Sequence, residues 1–475
     1  MLCSDVTIMG TVYWLYCILA IMLVVRVMLK NRNSVKTIAW IMVLVFLPIL
    51  GMVLYFFFGR DARKTRLIGR RFLSQLKQRD RLYSDIVDYC EIPQEYSSLI
   101  SFFKNSSMAS PFAYNDALIM HDMSCFSSSL LNELRNASEH IHMQFYIIEN
   151  DNFGREVAAV LMEKARNGVE VRLIYDSVGC WNVDKDFFEQ MRCAGVYVES
   201  FLKVRFPLLT NKANYRNHRK IVVIDGRVGF VGGCNVADRY INGVDWGKWR
   251  DTMLMVKGAA VHGLQASFLV DWYFSNSTLV SGKRYFPHVG KEGNTIMQIV
   301  TSNPVGEVRT IISGLVKLIS AAKGYVFLQT PYFMPDEPLM LALKSAAISG
   351  VDVRLMIPLR SDSWVADHIS MSYLGDVLRA GVKVYLYGGG MLHSKTVVCD
   401  DYVTSVGSAN LDFRSFYYNF EVCAFMYGKD NANEIKRLFI EDMSQCVQLT
   451  LAKYAERSFF HRCLESFARL FSPLF

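Results

Sequence analysis

Two long stretches of the chain contain no charged residue at all. Val6–Val25 spans twenty positions and Thr37–Gly59 spans twenty-three, so each reaches the length that an α-helix needs to cross a bilayer. The first stretch also lacks the basic start and the small-residue cleavage site of a signal peptide. We therefore expect residues 1–59 to form a transmembrane hairpin, with two buried helices of a soluble protein as the alternative.

The sequence also provides neither a disulfide framework nor an evident metal site. Eleven cysteines are an odd number without paired spacing, which indicates reduced thiols and an active domain in the cytosol. Aspartate, glutamate and histidine do not cluster at metal-ligand spacing, so we expect no metal and no cofactor. Lys and Arg outnumber Asp and Glu by 52 to 44, and the net charge of +8 suits an anionic partner, either lipid or nucleic acid.

Basic residues lie on both sides of the second charge-free stretch. Three occur in residues 30–36 and nine in residues 60–81. The larger cluster predicts that the body of the chain lies in the cytoplasm, because positive charge is retained on that side of the membrane. We expect residues 60–111 to form a basic, polar and helical connector.

The chain contains one motif twice, at identical internal spacing. Each copy has the form His-x-Lys, four residues, Asp, six residues, then Gly-Gly/Ser-x-Asn. The shared positions are His218, Lys220, Asp225, Gly233 and Asn235 in the first copy, and His393, Lys395, Asp400, Ser408 and Asn410 in the second. Side chains two apart on a strand share a face, so each histidine should face one site together with its lysine. Two His, two Lys and two Asn predict a site shaped for a phosphate, with the Gly/Ser positions at the substrate.

Four acidic residues accompany the motif. Asp225-Gly226 between two β-rich runs predicts a tight hairpin, and we expect Asp225 and Asp400 to fix the hairpin and its lysine. Each histidine also needs a partner that orients its second ring nitrogen. Asp251 and Glu421 lie 33 and 28 residues after the histidines of their own repeats, and each opens a β-rich run, so they are the candidates for that role.

The repeat extends well beyond the motif. Both halves contain a strand, a helix and a second strand in the same order, predicted at Ile141–Ile148, Arg155–Arg166 and Val169–Tyr175, and again at Tyr325–Gln329, Leu339–Ile348 and Val351–Ile357. This order predicts an α/β fold in which repeats 112–290 and 291–445 pack around a pseudo-two-fold axis, with the site between them.

Two further segments have apolar and basic character. The loop Phe201–Leu209 precedes the first motif, and it either contacts lipid or packs normally. In the predicted C-terminal helical segment 446–475, Phe460, Leu464 and Phe467 share one helical face while Arg462 and Arg469 lie on the other. Such a helix suits a membrane interface or packs on the body.

The paired motifs resemble those of the phospholipase D superfamily. The segments Ser34–Trp40 and Leu54–Arg60 are similar to the N-terminal module of bacterial cardiolipin synthases, and the resemblance covers nearly the whole chain. It implies a multi-pass phosphatidyltransferase of the bacterial plasma membrane with a cytoplasmic catalytic body. The implied reaction converts two phosphatidylglycerol molecules into cardiolipin and glycerol.

The chemistry of the motif fits that implication. An imidazole can attack phosphorus and leave again, which gives a phosphohistidine intermediate. A second histidine can protonate the leaving alcohol and deprotonate the incoming one, while the lysines and asparagines would hold the phosphoryl oxygens. The resemblance assigns His218 as the nucleophile and His393 as the acid and base, an order that the residues alone leave open.

Other functions stay open at this stage. A membrane-bound phospholipase D would use water as the acceptor and release phosphatidic acid. A nuclease shares the motif but typically has one copy and no hairpin, so we do not expect nucleic acid as the partner. Two intact motifs argue against a membrane scaffold with an inactive site. The sequence is compatible with an oligomer.

Overall fold

The computed structural model describes residues 14, 18–29, 34–47, 49–58, 94–203, 214–306 and 308–474. The chain divides into two compact units, Met1–Thr65 with Val204–Asn214, and Arg66–Lys203 with Tyr215–Phe475. The basic cluster at 60–81 and most of the loop Phe201–Leu209 lie outside the described residues.

The first unit is helical where it is described. Its helices are residues 18–29, α1 (Ser34–Phe46) and α2 (Leu50–Phe58). The single helix expected over Thr37–Gly59 is therefore interrupted. Ile49 has φ 61°, a conformation that β-branched residues rarely adopt, and the sequence places beside it Pro48, which lacks the amide hydrogen of a continuous helix. None of the described helices is long and apolar enough to cross a membrane.

These helices bury a small apolar cluster. Val27, Leu44 and Tyr55 are buried together, and Trp40 contacts Tyr55 edge-on at 5.4 Å between ring centroids. Most of the other apolar side chains that are described in this unit are exposed, Leu29 and Phe46 among them.

The second unit begins with α3 (Gln94–Ser107), which corrects part of the expected connector. Tyr96, Leu99 and Phe103 are buried in the core of the second repeat, and the Phe103 ring fills the space beside Gly314. These side chains follow the i, i+3, i+7 spacing of an amphipathic helix. The end of the predicted polar connector is therefore part of the second unit's core.

The two repeats contain matching elements. The first comprises β1 (Pro111–Met120), α4 (Met123–Asn136), β2 (His140–Phe145), α5 (Asn152–Arg166), β3 (Glu170–Asp176), α6 (Lys185–Cys193), β4 (Tyr197–Phe201), β5 (Arg216–Asn217), β6 (Ile221–Ile224), β7 (Val228–Gly232), α7 (Asp238–Asn242), β8 (Lys248–Arg250), β9 (Met253–Lys257) and α8 (Val261–Asn276). The second comprises β10 (Thr295–Ser302), α9 (Thr310–Ala321), β11 (Tyr325–Gln329), α10 (Glu337–Ile348), β12 (Asp352–Pro358), α11 (Trp364–Arg379), β13 (Lys383–Tyr387), β14 (Gly390–Leu392), β15 (Thr396–Cys399), β16 (Val403–Gly407), α12 (Phe413–Tyr417), β17 (Asn419–Tyr427) and α13 (Lys429–Met443).

Aspartate caps start corresponding helices in both repeats. Asp151 accepts a hydrogen bond from the Gly154 amide at the start of α5, and Asp336 accepts one from the Leu339 amide at the start of α10. Such caps satisfy amides that have no partner within the helix. The two βαβ units therefore begin their helices in the same way.

One sheet of sixteen strands, counted over the described residues, connects the repeats. On one side of its centre the strands run β1-β9-β7-β6-β2-β3-β4, and on the other side β10-β17-β16-β15-β11-β12-β13. The two orders correspond strand by strand, and the central strands β1 and β10 pair antiparallel, as a two-fold relation requires. The predicted α/β fold of two repeats is confirmed.

The core lies on both faces of this sheet. In β6, Val223 packs with α8 and α13 in a cluster shared by both repeats, whereas Val222 and Ile224 pack on the opposite face. Val398 of β15 joins the shared cluster while Val397 faces the other way. Alternate residues of a strand point to opposite faces, so strands buried on both sides are continuously apolar.

The C-terminal segment differs from the single helix expected over 446–475. It comprises β18 (Cys446–Leu449), α14 (Leu451–Ala455) and α15 (Phe459–Arg469). The strand β18 pairs antiparallel with β13 and ends the sheet of the second repeat. An unpaired sheet edge offers backbone groups to such a strand, so sheet pairing overrides the helical pattern here.

Candidate active site

Two short parallel pairings between the repeats position the motif histidines. The strand β5 pairs with β17, so that Asn217 is level with Phe420, and the His218 amide donates to the Phe420 carbonyl at 3.0 Å. Equivalently, β14 pairs with β8, and the His393 amide donates to the Arg250 carbonyl at 2.7 Å. The register therefore brings each histidine level with the residue that follows the last paired residue of the opposite strand.

Those following residues are Glu421 and Asp251. The Nδ1 atom of His218 lies 3.1 Å from both carboxylate oxygens of Glu421. The Nδ1 atom of His393 lies 2.5 Å from Asp251 Oδ2. Each carboxylate thus contacts the histidine of the other repeat. It does not contact the motif histidine that precedes it in its own repeat.

Both carboxylates are completely buried and supported from behind. Ser408 Oγ donates to Glu421, while the Thr252 amide donates to Asp251 Oδ1 at 2.7 Å. A Cβ atom at Gly233 would lie 2.2 Å from Asp251 Oδ1, so only glycine leaves room for this carboxylate. Gly233 and Ser408, expected at the substrate, instead contact the carboxylates that hold the histidines.

The electrostatics favour ionised carboxylates beside neutral imidazoles. Burial alone would raise the pKa of Asp251 and Glu421, but the nearby lysines and histidines hold both pKa values below their ordinary range. Burial lowers the pKa of His218, and burial together with Lys395 lowers that of His393 to about 4. An imidazole whose Nδ1 hydrogen is held by a carboxylate presents Nε2 as a nucleophile or base.

Each of the two motif lysines is bonded to the backbone of its own motif histidine. Lys220 Nζ donates to the His218 carbonyl at 2.7 Å, and Lys395 Nζ donates to the His393 carbonyl. Burial lowers the pKa of Lys220 to about 7 and that of Lys395 to about 8. Neither lysine is among the residues that line the cavity, and that each lysine faces the site beside its histidine stays a prediction.

Both histidines line one cavity of about 220 Å³. Asn235 and Asn410 also line it, and each is held in place: the Asn235 amide donates to Tyr240 at 2.8 Å, and the Asn410 amide donates to Asp412 at 2.8 Å. Among the described residues, no three His, Cys, Asp or Glu side chains come together as a metal site.

The motif aspartates serve the fold. Asp225 accepts hydrogen bonds of 2.8 Å from the backbone amides of residues 138–140, and Asp400 accepts them from those of residues 323–325. Asp225 and Gly226 both have positive φ, which confirms the tight hairpin between β6 and β7. The aspartates anchor the hairpins to the loop before β2 or β11, and neither is among the residues that line the cavity.

Sequence reasoning missed several cavity residues, Arg216 and Arg414 among them. Arg216 is buried and donates to Asp176 at 3.1 Å. A signal for Arg414 is present in the sequence, because an arginine stands four positions after each motif asparagine. The equivalent Arg239 pairs with Glu149 at 2.5 Å instead, so the repeat position alone does not reveal which arginine faces the cavity.

Comparison with known proteins places this chain in a family. A model described as "Cardiolipin synthase, PLD-like domain" matches residues 130–272 and 315–443, and one described as "Phospholipase D-nuclease N-terminal" matches residues 18–60. The major cardiolipin synthase of Bacillus subtilis is 38% identical over 478 residues, 97% of this chain and 98% of the relative. A cardiolipin synthase of Geobacillus thermodenitrificans is 39% identical over 453 residues, 94% and 90% of the two chains.

Among solved structures, the phosphatidylserine synthase of Haemophilus influenzae superposes with a TM-score of 0.59 at 14% identity, over 79% of this chain and 97% of that one. The fold and the two matched domains define a phospholipase D-like protein. The identity to bacterial relatives over nearly the full length narrows the class, and the chain belongs to the cardiolipin synthase family.

Proposed function

We propose that this chain transfers the phosphatidyl group of one phosphatidylglycerol to the terminal hydroxyl of another, which gives cardiolipin and glycerol. The observation that carries the proposal is one cavity with two buried imidazoles, each held by a carboxylate of the other repeat. Membership of the cardiolipin synthase family supports phosphatidylglycerol as the proposed donor and acceptor.

In the first half of the reaction, His218 Nε2 attacks the phosphorus of the donor lipid. The phosphorus–oxygen bond to glycerol breaks, and His393 gives the departing oxygen a proton. In the second half, the hydroxyl of another phosphatidylglycerol gives its proton to His393 and attacks the same phosphorus. The phosphorus–nitrogen bond breaks, and His218 returns to its starting state.

The charge distribution supports these roles. His218 is neutral at pH 7 because burial lowers its pKa, so its lone pair is available for attack. His393 must carry a proton when glycerol leaves, and the negative phosphodiester beside it favours the charged imidazole. Lys395, with a pKa of about 8, is mostly charged at pH 7, while Lys220, with a pKa of about 7, is charged in part. Asn235, Asn410 and Arg414 are the proposed contacts of the phosphoryl oxygens.

The test is to supply purified protein in vesicles with phosphatidylglycerol as the sole lipid substrate, and to quantify lipid and alcohol products. We expect cardiolipin and glycerol in equal amounts. Because one phosphodiester is exchanged for another, added glycerol should lower the cardiolipin yield. Phosphatidic acid as the main product, with no effect of glycerol, would replace this proposal with a hydrolytic phospholipase D.

We also propose that residues 1–59 attach the chain to the bacterial cytoplasmic membrane as a hairpin, with the catalytic body in the cytoplasm. The charge-free runs and the exposed apolar side chains of the helical unit support attachment. The division of the remaining chain into a connector (60–111), two repeats (112–290 and 291–445) and a C-terminal segment (446–475) also stays a proposal. The structure corrects it at the helix α3, which packs in the core, and at the strand β18, which joins the sheet. Retention in membranes after alkaline extraction tests attachment, and protease accessibility from each side tests orientation.

A further inference from the structure

The helix α15 is packed with its polar side inward. Glu465 is buried in an ion pair with Arg457, and the Arg469 guanidinium lies 4.0 Å from the centre of the Tyr373 ring on α11. Ala468 and Ser472 complete the buried side. The contact with the body is therefore made by charged and small residues.

The aromatic side of the same segment is left exposed. We call it the tail face, and its members are Phe460, Leu464, Phe467, Leu470, Phe471 and Leu474. Phe460 is 83% exposed, Leu470 73% and Phe467 60%. Single exposed apolar residues are ordinary, but a contiguous set of this kind marks an interaction surface.

The tail face lies next to residues that line the cavity. Arg414 lines the cavity, and its guanidinium donates to the Leu474 carbonyl at 3.2 Å. The Tyr373 hydroxyl of α11 donates a hydrogen bond to Ser472 Oγ at 3.1 Å. The same helix starts at Trp364, between residues 363 and 366, which both line the cavity. Trp364 is itself largely exposed, so aromatic side chains occur at two places near the opening.

The cavity cannot accommodate the acyl chains of a phospholipid. Its volume of about 220 Å³ is below that of pockets that enclose drug-sized ligands. Of the side chains that line it in the described part of the chain, only Ile147, Met334 and Ala366 are apolar. When the headgroup reaches the histidines, the acyl chains must therefore stay outside, in an apolar phase that begins at the opening.

We propose that the tail face is a lipid-docking surface that places the opening of the cavity on the bilayer. Phenylalanine and leucine on one side of a short helix are suited to the boundary between headgroups and acyl chains. The exposed Arg462 and Lys453 can contact anionic headgroups at that depth. A second copy of the chain on the same apolar face is the rival occupant. The inference rests on the proposed function, because the acyl-chain argument requires a phospholipid substrate.

A cysteine of the chain provides a direct test. Cys463 is exposed on α15, and Cys193 is exposed on the first repeat. One protein keeps Cys463 for a fluorescent label and the control keeps Cys193, with serine at the remaining exposed or undescribed positions Cys3, Cys17, Cys90 and Cys125. In phosphatidylglycerol vesicles with brominated acyl chains, we expect the Cys463 label to lose most of its fluorescence and the Cys193 label to lose little. Equal quenching of the two labels would overturn the inference, as would protection of Cys463 that depends on protein concentration.

An activity comparison completes the test. Phe460→Ser with Phe467→Ser should lower cardiolipin formation from long-chain phosphatidylglycerol in vesicles by about tenfold, because two exposed rings lose their contact with lipid. The same variant should turn over monomeric short-chain phosphatidylglycerol at the wild-type rate, which also shows that it folds. Tyr197→Ser, at an exposed aromatic residue of β4, is the matched control.

The outcomes separate this inference from the proposed function. If the wild type makes no cardiolipin, the proposed function fails. If the wild type makes cardiolipin while the Cys463 label is not quenched, only the docking inference fails. An equal loss on short-chain and long-chain substrate would likewise contradict docking, because it would place the defect at the site.

Discussion

Replacing Asp251 by asparagine tests the crossed arrangement of the site. Asp251 belongs to the first repeat, yet its carboxylate lies 2.5 Å from Nδ1 of His393 in the second. Asparagine keeps the size but not the charge, and its amide cannot hold both the Thr252 amide and the imidazole as the carboxylate does. The imidazole then loses the partner that fixes its tautomer and stabilises its charged form.

The expected loss of rate in Asp251→Asn follows from the burial of Asp251 and from its role beside His393. Asp251 is fully buried, so water cannot replace the lost charge beside the imidazole. Impairing an acid and base group costs roughly 10²–10⁴-fold in rate, or about 3–5 kcal/mol of activation free energy. We expect cardiolipin formation from phosphatidylglycerol to fall by that factor in Asp251→Asn, with the thermal unfolding midpoint and vesicle binding as controls.

A donor with an activated leaving group separates the two histidines. Nitrophenol departs without protonation, so a phosphatidyl nitrophenyl ester needs the nucleophile but not the acid. In a rapid-mixing assay, Asp251→Asn should keep the nitrophenol burst and then transfer slowly to phosphatidylglycerol, as His393→Ala should. Glu421→Gln should lose the burst, as His218→Ala should.

The refuting result is a reversed correspondence. If Asp251→Asn behaved like His218→Ala, and Glu421→Gln like His393→Ala, each carboxylate would serve the histidine of its own repeat. The crossed geometry would then be wrong, whichever histidine acts as the nucleophile.

Two further predictions concern packing and pH. Gly233→Ala places a methyl group 2.2 Å from Asp251 Oδ1 and should lower the rate of transfer by about 10²-fold, since displacing a catalytic group by about 1 Å has that cost. Gly290→Ala, in open space, is the control and should leave the rate unchanged. Equal activities of the two variants would contradict the packing argument. Burial holds the pKa of His142 well below its ordinary value, so the unfolded chain binds a proton on this imidazole more readily than the folded chain. The thermal unfolding midpoint should therefore fall as pH drops below about 6.5. If His142→Gln did not reduce the slope of the midpoint against pH, His142 would not be the group responsible.

The repeating part of the fold could be predicted from the sequence. The strand Tyr325–Gln329 was predicted with the bounds that β11 has, and the strands at Val169–Tyr175 and Val351–Ile357 are shifted by one residue. These segments are β-rich runs buried on both faces, so local composition is sufficient to identify them. The two motif histidines at one cavity also follow from the duplicated spacing alone.

The crossed pairing could not be predicted in this way. It depends on β8 pairing with β14, and on β5 pairing with β17, between segments more than a hundred positions apart. No local pattern encodes such pairing, whereas the spacing within each repeat made Asp251 and Glu421 appear to serve their own histidines. The bond of each lysine to the carbonyl of its histidine was missed for a related reason, because such a bond is not visible in a strand pattern.

The C-terminal helix shows a different limit of pattern analysis. Periodicity identified an apolar face, but it does not determine which face meets the body. Here the Arg457–Glu465 pair and the stacking of Arg469 on Tyr373 favour contact through the polar side. The described part of the fold therefore leaves the apolar face uncovered, and we expect its partner to lie outside the folded chain.

The most direct test of the mechanism is to trap the intermediate. Active protein is mixed with phosphatidylglycerol labelled in the phosphate, stopped within the first turnover, digested at alkaline pH and analysed by mass spectrometry. We expect an alkali-stable, acid-labile phosphatidyl adduct on His218, and no adduct in His218→Ala. An adduct on His393 would reverse the two roles, and its absence from both histidines in active protein would contradict transfer through a phosphohistidine.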